Sequence, residues 1–432
     1  MAEKPVLQVA LDVMNLHRAL QIASEAVEGG VDWIEAGTPL IKSEGLDSIR
    51  QLKEHFPSHT IVADMKTMDV GTVEVEMASK AGADIVCIMG VADDGTITEA
   101  VKSGRRYGAK IMVDLMRTQN PVNRAKEVEL MGADYICLHV GVDAQMRKIA
   151  ALDEVKEVSE NVSIPVAAAG GLNSETAPKV VKAGAKTVIV GSAIIKSPDV
   201  AQATRTIKQA IYQEEIIPSE LFKKYSQEEL HQAFMKASTP NIADAMHTKG
   251  AMKYITPRIK HGVKMVGRAI TVATMDGDWA KPVEAIDRCE EGSVIVIDAG
   301  AGHTAVWGEL ASWSCKKKGV AGVVIDGAAR DIDDIRDMDF PLFSRHISPN
   351  AGEPKGHGHI GAEITCGGQE VKTGDWVVGD ESGVVVIPQE NAVEVANRAL
   401  DVHERENRLR EEIQRGSTLS KVLSLKKWEK KG

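Results

Sequence analysis

Short apolar runs rich in β-branched residues alternate with longer amphipathic segments through the first half of the chain. These runs predict strands, and the segments between them, with apolar positions at helical spacing, predict helices. The predicted strands are Val6–Leu11, Val31–Ile34, Thr60–Ala63, Ile85–Met89, Lys110–Val113, Tyr135–His139, Ile164–Ala168 and Thr187–Val190. A strand–helix unit repeated along residues 1–212 predicts an α/β fold, a (β/α)8 barrel, with an open doubly wound sheet as the alternative.

Four connections between a helix and the next strand share a glycine-containing turn, which supports the repeat. They are Gly29-Gly30-Val31-Asp32, Ala81-Gly82-Ala83-Asp84, Met131-Gly132-Ala133-Asp134 and Ala183-Gly184-Ala185-Lys186. A glycine just after a helix suits the left-handed conformation that often ends helices. An internal repeat of this kind carries more weight than any single match to a pattern.

Polar residues and glycines follow the predicted strands at the end where barrels carry their chemistry. In chain order they are Asp12, Glu35, Asp64 with Lys66, Asp114, His139, Gly170-Gly171 and Gly191-Ser192. Alternate residues of an extended strand share a face, so Asp64 and Lys66 are expected to point the same way, with Asp69 on the following loop. Glycines after the last two strands expose backbone N–H groups that bind phosphate. A surface salt-bridge cluster is the alternative for the Asp64–Asp69 run.

Several of these strings resemble the orotidine-5'-phosphate decarboxylase suprafamily, and most closely its 3-hexulose-6-phosphate synthase branch. They are Ala10-Leu11-Asp12, residues 34–41 (IEAGTPLI), Asp64-x-Lys66-x-x-Asp69 and His139-Val140-Gly141. The resemblance covers roughly residues 5–212. It implies an aldehyde-lyase that uses Mg2+ or Mn2+ to join D-ribulose 5-phosphate and formaldehyde into D-arabino-hex-3-ulose 6-phosphate, or to reverse that reaction, in the ribulose monophosphate pathway.

The resemblance also implies roles for the residues at the strand ends. Glu35 and Asp64 would bind the metal, Lys66 would stabilise an enediolate, and His139 would transfer protons. Asp69 would reach the site of a neighbouring subunit, so the barrel is expected to form a dimer. Asp12 and Asp114 would contact the substrate, and the backbone at Gly170, Gly171, Gly191 and Ser192 would bind its phosphate. The sister branch, keto-gulonate-6-phosphate decarboxylase, usually has an arginine where Val142 stands here, which favours the synthase.

The pattern changes after residue 212. We expect residues 213–227 to form a linker and residues 228–395 to form a second α/β domain of the swivelling (β/β/α) type. Its predicted strands are Gly267–Thr274, Ser293–Asp298, Val320–Ile325, Trp376–Val378 and Gly383–Ile387. Residues 396–432 alternate charges at helical spacing, which predicts a solvent-exposed helical tail, with docking to a partner as the alternative.

The second domain contains Gly308-Glu309-Leu310 and Arg330-Asp331, with twenty residues between Glu309 and Arg330. Together with residues 240–244 (PNIAD) and 383–388 (GVVVIP), this spacing resembles the family shared by ribonuclease-activity regulator A and class II 4-hydroxy-4-methyl-2-oxoglutarate aldolases. The aldolase resemblance implies that Asp331 holds a divalent metal, Arg330 polarises a 2-oxo acid and Glu309 holds metal-bound water. Amides near Gly308 and Leu310 would receive the substrate carboxylate, in a domain that forms trimers. The alternative is an ordinary ion pair in a non-catalytic regulator or scaffold.

Composition narrows the class of protein further. A formal net charge of −10 argues against binding nucleic acid. The chain contains no apolar stretch long enough to cross a membrane and no signal-peptide pattern at residues 1–4 (MAEK), and its five cysteines lack the close spacing of a zinc site. We therefore expect a cytoplasmic homo-oligomer. It is either a bifunctional enzyme acting on a sugar phosphate and a 2-oxo acid, or one enzyme fused to a binding module.

Overall fold

The computed structural model describes residues 4–141, 152–219, 222–423 and 425. The chain divides into two compact units. The first comprises the chain up to Lys224 together with the segment from Glu404 onward, and the second comprises Tyr225–His403. The C-terminal segment thus belongs to the same unit as the N-terminal half.

The sheet of the first unit is a closed barrel of parallel strands in the order β1 to β8. The strands are β1 (Val6–Leu11), β2 (Trp33–Ala36), β3 (Thr60–Thr67), β4 (Ile85–Met89), β5 (Lys110–Asp114), β6 (Tyr135–His139), β7 (Val166–Ala169) and β8 (Thr187–Val190). Strand β1 pairs with both β2 and β8, which closes the barrel and excludes the open doubly wound sheet. The (β/α)8 prediction is confirmed.

Helices surround this barrel in the described part of the unit. They are Leu16–Glu28, Thr38–Glu44, Asp47–His55, Gly71–Lys80, Asp94–Tyr107, Pro121–Leu130, Leu152–Ser159, Ala177–Lys182, Ser192–Ile195 and Val200–Gln213. Their apolar faces pack on the outside of the strands and form the main core. A second cluster of small and medium apolar side chains fills the barrel interior. The glycines of the shared turn, Gly30, Gly82, Gly132 and Gly184, all have positive φ, as the repeat predicts. Val142 lies outside the described residues.

The second unit is built on a mixed sheet in the order β19-β18-β10-β11-β13-β14-β9, with β12 and β15 paired at its side and a separate β16–β17 hairpin. The strands are β9 (Thr256–Pro257), β10 (Met265–Ala273), β11 (Ser293–Asp298), β12 (Ala305–Trp307), β13 (Gly322–Ala329), β14 (Leu342–Ile347), β15 (His359–Ile360), β16 (Ile364–Cys366), β17 (Gln369–Val371), β18 (Trp376–Asp380) and β19 (Gly383–Ile387). The helices are Leu230–Lys236, Thr239–Ala245, Ala280–Arg288, Glu309–Lys318 and Ile332–Asp337. The predicted α/β class is confirmed, although β14 and several short strands were not predicted.

The C-terminal helix (Ala392–Gln414) is followed by a short helix, Leu419–Val422. The prediction that this tail is exposed to solvent is wrong for its middle turns, since the side chain of Arg408 is fully buried and Glu412 is 9% exposed. The charge pattern was misleading because Arg408 also contacts Glu25 and the carbonyl oxygen of Ser197, which lie far away in the sequence. No helix in the described ranges is long and apolar enough to cross a membrane. All five cysteines are free and buried.

Candidate active site

Strand β3 ends in an irregularity that sets the position of Lys66. The register between β3 and β4 shifts between Asp64 and Thr67, and Lys66 has a positive φ of 47°. The expected extended alternation is therefore absent, yet the Lys66 Nζ lies 3.0 Å from Asp64 Oδ2 and 3.4 Å from Asp114 Oδ2. The bulge thus places one ammonium between two carboxylates from neighbouring parts of the barrel.

Asp114, at the end of β5, joins Lys66 to His139, at the end of β6. The His139 Nδ1 lies 3.1 Å from Asp114 Oδ2, and the backbone N–H of Met116 donates to Asp114 Oδ1 at 2.9 Å. Burial alone would raise the pKa of Asp114, but the hydrogen bond and charge of His139, with Lys66, outweigh it and lower that pKa. An ionised carboxylate only accepts hydrogen bonds, so Nδ1 carries the proton and Nε2 of a neutral His139 keeps its lone pair.

Glu35 and Asp64 bring two further carboxylates into the barrel mouth, and they are only 6% and 8% exposed. Gln8 donates to Glu35 Oε2 at 2.5 Å, and Thr38 Oγ1 donates to Asp64 Oδ2 at 2.8 Å. Burial, followed by the charges of Asp64 and Asp12, raises the pKa of Glu35 well above its usual range. The carboxylates therefore repel one another in a region poor in water, where a bound cation would stabilise their charged forms.

Asp12, at the end of β1, remains accessible to solvent beside this pair. Its pKa is raised, first by partial removal from water and then by Asp64. A Cβ on Gly37 would stand 2.3 Å from Asp12 Oδ1, and one on Gly191 would stand 3.6 Å from Asp12 Oδ2. The ammonium of Lys196 also acts on Asp12, lowering its pKa in part. Asp12 therefore lies between the loop after β2 and the loop after β8.

The donor set suits a hard divalent ion, because carboxylate oxygens are the ligands that Mg2+ and Mn2+ prefer. Within the described ranges, no group of three or more histidine, cysteine or acidic side chains is arranged to hold a metal. Glu35 and Asp64 therefore fit a site in which the protein supplies two carboxylates and water or substrate oxygens supply the other ligands, as Mg2+ commonly accepts.

The remaining residues singled out in the barrel lie on loops at the same end. Gly170 and Gly171 follow β7 with φ values of 101° and 69°, and Gly191 precedes the helix that begins at Ser192. Asp69 is exposed after β3, where its side chain accepts a hydrogen bond from the N–H of Val70. Among the described residues of the chain, Asp69 forms no hydrogen bond or ion pair with the Lys66 cluster, so its role stays a prediction.

In the second unit the structure brings Gly308, Glu309, Arg330 and Asp331 together. The backbone N–H of Glu309, the first residue of helix Glu309–Lys318, donates to Asp331 Oδ2 at 3.2 Å, and Arg330 Nε lies 3.3 Å from the same oxygen. Asp331 has a positive φ of 56°, and a Cβ on Gly308 would stand 2.6 Å from its carboxylate. The Glu309 carboxylate accepts a hydrogen bond from Trp313 Nε1, while Leu310 is 78% exposed.

Comparison with known proteins agrees with this geometry. A 3-hexulose-6-phosphate synthase from Bacillus subtilis (strain 168) is 38% identical over 208 residues, which are 48% of this chain and 99% of that protein. One from Mycobacterium gastri is 40% identical over 205 residues, again 48% of this chain and 99% of that protein. The profile of the orotidine 5'-phosphate decarboxylase / HUMPS family matches residues 5–207. The chain belongs to this family.

Two further matches concern the barrel and the second unit. A crystal structure of 3-keto-L-gulonate-6-phosphate decarboxylase from Vibrio cholerae is 28% identical, with a TM-score of 0.45, and the match covers 50% of this chain and 100% of that one. The RraA-like profile, described as Aldolase/RraA, matches residues 239–386. The barrel is thus that of a lyase related to 3-hexulose-6-phosphate synthases, and the second unit is RraA-like.

Three residues of this HUMPS-family barrel were not singled out from the sequence. Gln8 is a fully buried amide in an otherwise apolar strand, and that break in the pattern was the available signal. Thr38 holds both the carboxylate and the backbone oxygen of Asp64. Lys196 stands four residues after Ser192, and nothing in the local sequence indicates its influence on Asp12.

Proposed function

We propose that the barrel catalyses the Mg2+-dependent aldol reaction of D-ribulose 5-phosphate with formaldehyde to give D-arabino-hex-3-ulose 6-phosphate, and its reverse. The observation that carries the proposal is the hydrogen-bonded sequence Asp64–Lys66–Asp114–His139 beside the buried Glu35. At the C-terminal end of the barrel strands it combines a base (His139), an ammonium held in place (Lys66) and two carboxylates suited to a hard metal ion (Glu35 and Asp64). The 3-hexulose-6-phosphate synthases matched along almost their whole length support this choice of reaction.

His139 is the proton-transfer group in this account. Its Nδ1–H is directed to Asp114, so Nε2 is available to remove a proton from C1 of the ketose phosphate. The electron pair of that C–H bond becomes the enediolate, which then forms a bond to the formaldehyde carbon. The alkoxide left on the former formaldehyde oxygen takes up a proton, so protons and electrons balance.

Lys66, together with a metal ion held by Glu35 and Asp64, would stabilise the negative charge that develops in this reaction. Negative charge develops on the C2 oxygen as the C1 proton leaves, and an ammonium held between Asp64 and Asp114 is fixed in advance to face it. Glu35 and Asp64 would hold Mg2+, which would supply further positive charge to the substrate oxygens. Burial alone would lower the pKa of Lys66, but the carboxylates of Asp64 and Asp114 outweigh burial and raise that pKa, so Lys66 stays charged in the physiological range.

The remaining loop residues would bind the phosphate and hydroxyl groups of the substrate. Backbone amides near Gly171, Gly191 and Ser192 would receive the phosphate. Asp12 stands between these loops and Asp64, where it would bind a hydroxyl group of the sugar.

A formaldehyde-consumption assay with the full chain, ribulose 5-phosphate and Mg2+ tests the proposal. Glu35→Gln and Asp64→Asn should each lower turnover at saturating Mg2+ by a factor of a thousand or so, which corresponds to about 4 kcal/mol of lost charge stabilisation. Asp47→Asn, on the exposed start of helix Asp47–His55, is the matched control and should leave turnover unchanged. Near-normal turnover in Asp64→Asn would refute the assignment. Release of CO2 from 3-keto-L-gulonate 6-phosphate without aldol activity would favour the sister reaction instead.

For the second unit we propose a slow metal-dependent cleavage or decarboxylation of a 2-oxo acid. The supporting observation is that the Asp331 carboxylate lies beside Arg330 and accepts a hydrogen bond from the backbone N–H of Glu309, at the start of helix Glu309–Lys318. The planar guanidinium of Arg330 can engage two substrate oxygens. Asp331 would hold a divalent ion, and Glu309 would hold metal-bound water.

Loss of oxaloacetate in the presence of Mg2+ or Mn2+ tests this second activity in the full chain. Arg330→Ala should abolish it, and Arg336→Ala, a surface arginine of the following helix, should not. If oxaloacetate decays no faster with the full chain than without it, the unit is a regulator or scaffold instead.

A further inference from the structure

The buried guanidinium of Arg408 ties the C-terminal helix to the backbone that follows the phosphate loop of the barrel. Arg408 Nη1 donates to the carbonyl oxygens of Ser197 and Pro198, both at 3.3 Å. These two residues come immediately after helix Ser192–Ile195 and its C-cap, Lys196. A side chain from the end of the sequence therefore holds the connection between β8 and helix Val200–Gln213.

Carboxylates on two helices neutralise the charge of Arg408. Its Nη1 lies 3.4 Å from Glu25 Oε2 on helix Leu16–Glu28, and its Nε lies 3.1 Å from Glu412 Oε1. Glu412 also pairs with Arg18 at 2.9 Å, and Glu25 also pairs with Arg415 at 3.1 Å. Removing one charge from such a buried network leaves the opposite charge uncompensated, so the arrangement is sensitive to substitution.

A second contact one turn earlier on the C-terminal helix reaches the same region. Glu404 Oε1 accepts a hydrogen bond of 2.7 Å from the backbone N–H of Phe222. Phe222 is 4% exposed and packs into the main barrel core, and the Lys196 Nζ lies 5.4 Å from the centre of its ring. Lys196 is the residue whose charge acts on Asp12. The tail thus contacts the backbone of Ser197 and Pro198 through Arg408, and the backbone of Phe222, whose ring lies beside Lys196, through Glu404.

The matched synthases lack the contacts that the C-terminal helix makes with the barrel in this chain. The matched synthases align over 205 to 208 residues, which are 99% of their own length. They therefore have no segment equivalent to the C-terminal helix. In this chain that helix contacts helix Leu16–Glu28 and the residues after β8.

We propose that Arg408 and Glu404 are positioning residues for phosphate binding in the barrel, acting through the segment from Gly191 to Pro198. The inference rests on the proposed function, in which amides at Gly191 and Ser192 receive the substrate phosphate. Arg408 fixes the carbonyls at the end of this segment, and Glu404 fixes the aromatic ring that supports Lys196. When the tail support is lost, the amides and Lys196 move away from the positions that bind the substrate, while the Lys66–Asp114–His139 group is left in place.

Two measurements on the full chain test the proposal. In the first, the KM for ribulose 5-phosphate and the kcat are measured for the wild type, Arg408→Ala, Arg408→Lys, Glu404→Gln and Arg410→Ala. In the second, amide hydrogen exchange is followed in peptides that cover residues 191–199. Arg410 lies on the same helix, and its polar partners among the described residues, Glu406 and Asn407, both belong to the tail, so Arg410→Ala is the matched control.

Arg408→Ala should raise the KM about tenfold with kcat within about twofold, and should speed exchange in residues 191–199. Arg408→Lys keeps the charge but lacks the fork, so its effect should be intermediate, and Glu404→Gln should shift both quantities in the same direction by less. Arg410→Ala should match the wild type in both. If Arg408→Ala does not fold, the KM and the hydrogen exchange of Arg408→Lys test the proposal by themselves.

A folded Arg408 variant with wild-type KM and wild-type exchange would overturn the proposal, and so would a fall in kcat at unchanged KM. If the wild type itself shows no turnover of ribulose 5-phosphate and formaldehyde, the proposed function fails. Hydrogen exchange in residues 191–199 then still decides whether the tail holds this segment, because that measurement needs no substrate.

Discussion

At the scale of single residues, the chemistry of the barrel depends on which nitrogen of His139 carries a proton. The hydrogen bond to Asp114 fixes Nδ1 as the donor, which leaves Nε2 available as the base of the proposed reaction. Asparagine in place of histidine keeps a donor near Asp114 but has no basic nitrogen. We therefore expect His139→Asn to lower kcat for the aldol reaction by roughly a hundredfold to a thousandfold with little change in stability. The control is His55→Asn, on the exposed end of helix Asp47–His55. Equal kcat in the two variants would remove His139 from the mechanism.

Asp278, in the second unit, is a buried carboxylate that organises a loop. It is 2% exposed and accepts hydrogen bonds from the backbone N–H groups of Ala280, Lys355, Gly356 and His357. Burial alone would raise its pKa, but these four donors outweigh burial and lower the pKa to about 2. We expect Asp278→Asn to lower the free energy of unfolding at pH 7 by roughly 1 to 2 kcal/mol. Denaturant titration measures the change, with Asp287→Asn, on the exposed face of helix Ala280–Arg288, as control.

The same group gives stability a defined dependence on pH. Its pKa is lower in the folded chain than the ordinary 3.8, so its contribution is complete above that value and is lost as pH falls towards about 2. The difference in unfolding free energy between the wild type and Asp278→Asn should therefore shrink between pH 4 and pH 2. A constant difference over this range would mean that the carboxylate is not the stabilising group.

At the scale of elements, the packing of the loop after β2 against the end of β1 sets the position of Asp12. Gly37 has ordinary backbone angles, but a methyl group there would stand 2.3 Å from Asp12 Oδ1 and 2.9 Å from the carbonyl oxygen of Leu11. We expect Gly37→Ala to lower kcat/KM for ribulose 5-phosphate by about tenfold or more, because Asp12 is proposed to contact the substrate and small displacements of such a group are costly. Gly95→Ala, where a methyl group meets no atom within 4 Å, should leave kcat/KM unchanged. Wild-type activity in Gly37→Ala would show that Asp12 tolerates displacement.

Periodicity in the sequence was enough to predict the barrel, since each β–α unit signals its own strand, helix and glycine turn. It was also enough to predict which strand ends carry polar groups, because the fold brings those ends together. The bulge that turns Lys66 back towards Asp64, and the buried state of Arg408, depend on contacts between distant parts of the chain. The short strands β12, β15, β16 and β17 were missed because two or three residues give no periodic signal.

At the scale of the whole molecule, we expect a second copy of the chain to complete the barrel site. Helix Gly71–Lys80 and the residues just before it expose apolar side chains, with Met68, Val70, Val73 and Met77 between 44% and 59% exposed. Asp69 lies among them in the sequence and is itself exposed. A contiguous apolar patch of this kind commonly marks an interface between proteins.

Mixing inactive Lys66→Ala chains with inactive Asp69→Ala chains tests this arrangement. After subunit exchange, one site in each mixed dimer keeps both residues, so up to about one quarter of wild-type turnover should return. Native mass spectrometry measures the exchange, and unmixed samples of each variant are the controls. Exchanged dimers without recovered turnover would show that Asp69 does not serve a neighbouring site.

The central claim is that the barrel forms a carbon–carbon bond between ribulose 5-phosphate and formaldehyde. The most direct test is 13C NMR of the full chain incubated with Mg2+, ribulose 5-phosphate and 13C-formaldehyde. We expect the label to move into a hydroxymethyl carbon bonded to the sugar. The new signal should need the metal and should be absent with Asp64→Asn. A 13C-formaldehyde signal that stays unchanged with the wild-type chain at saturating Mg2+ would contradict it.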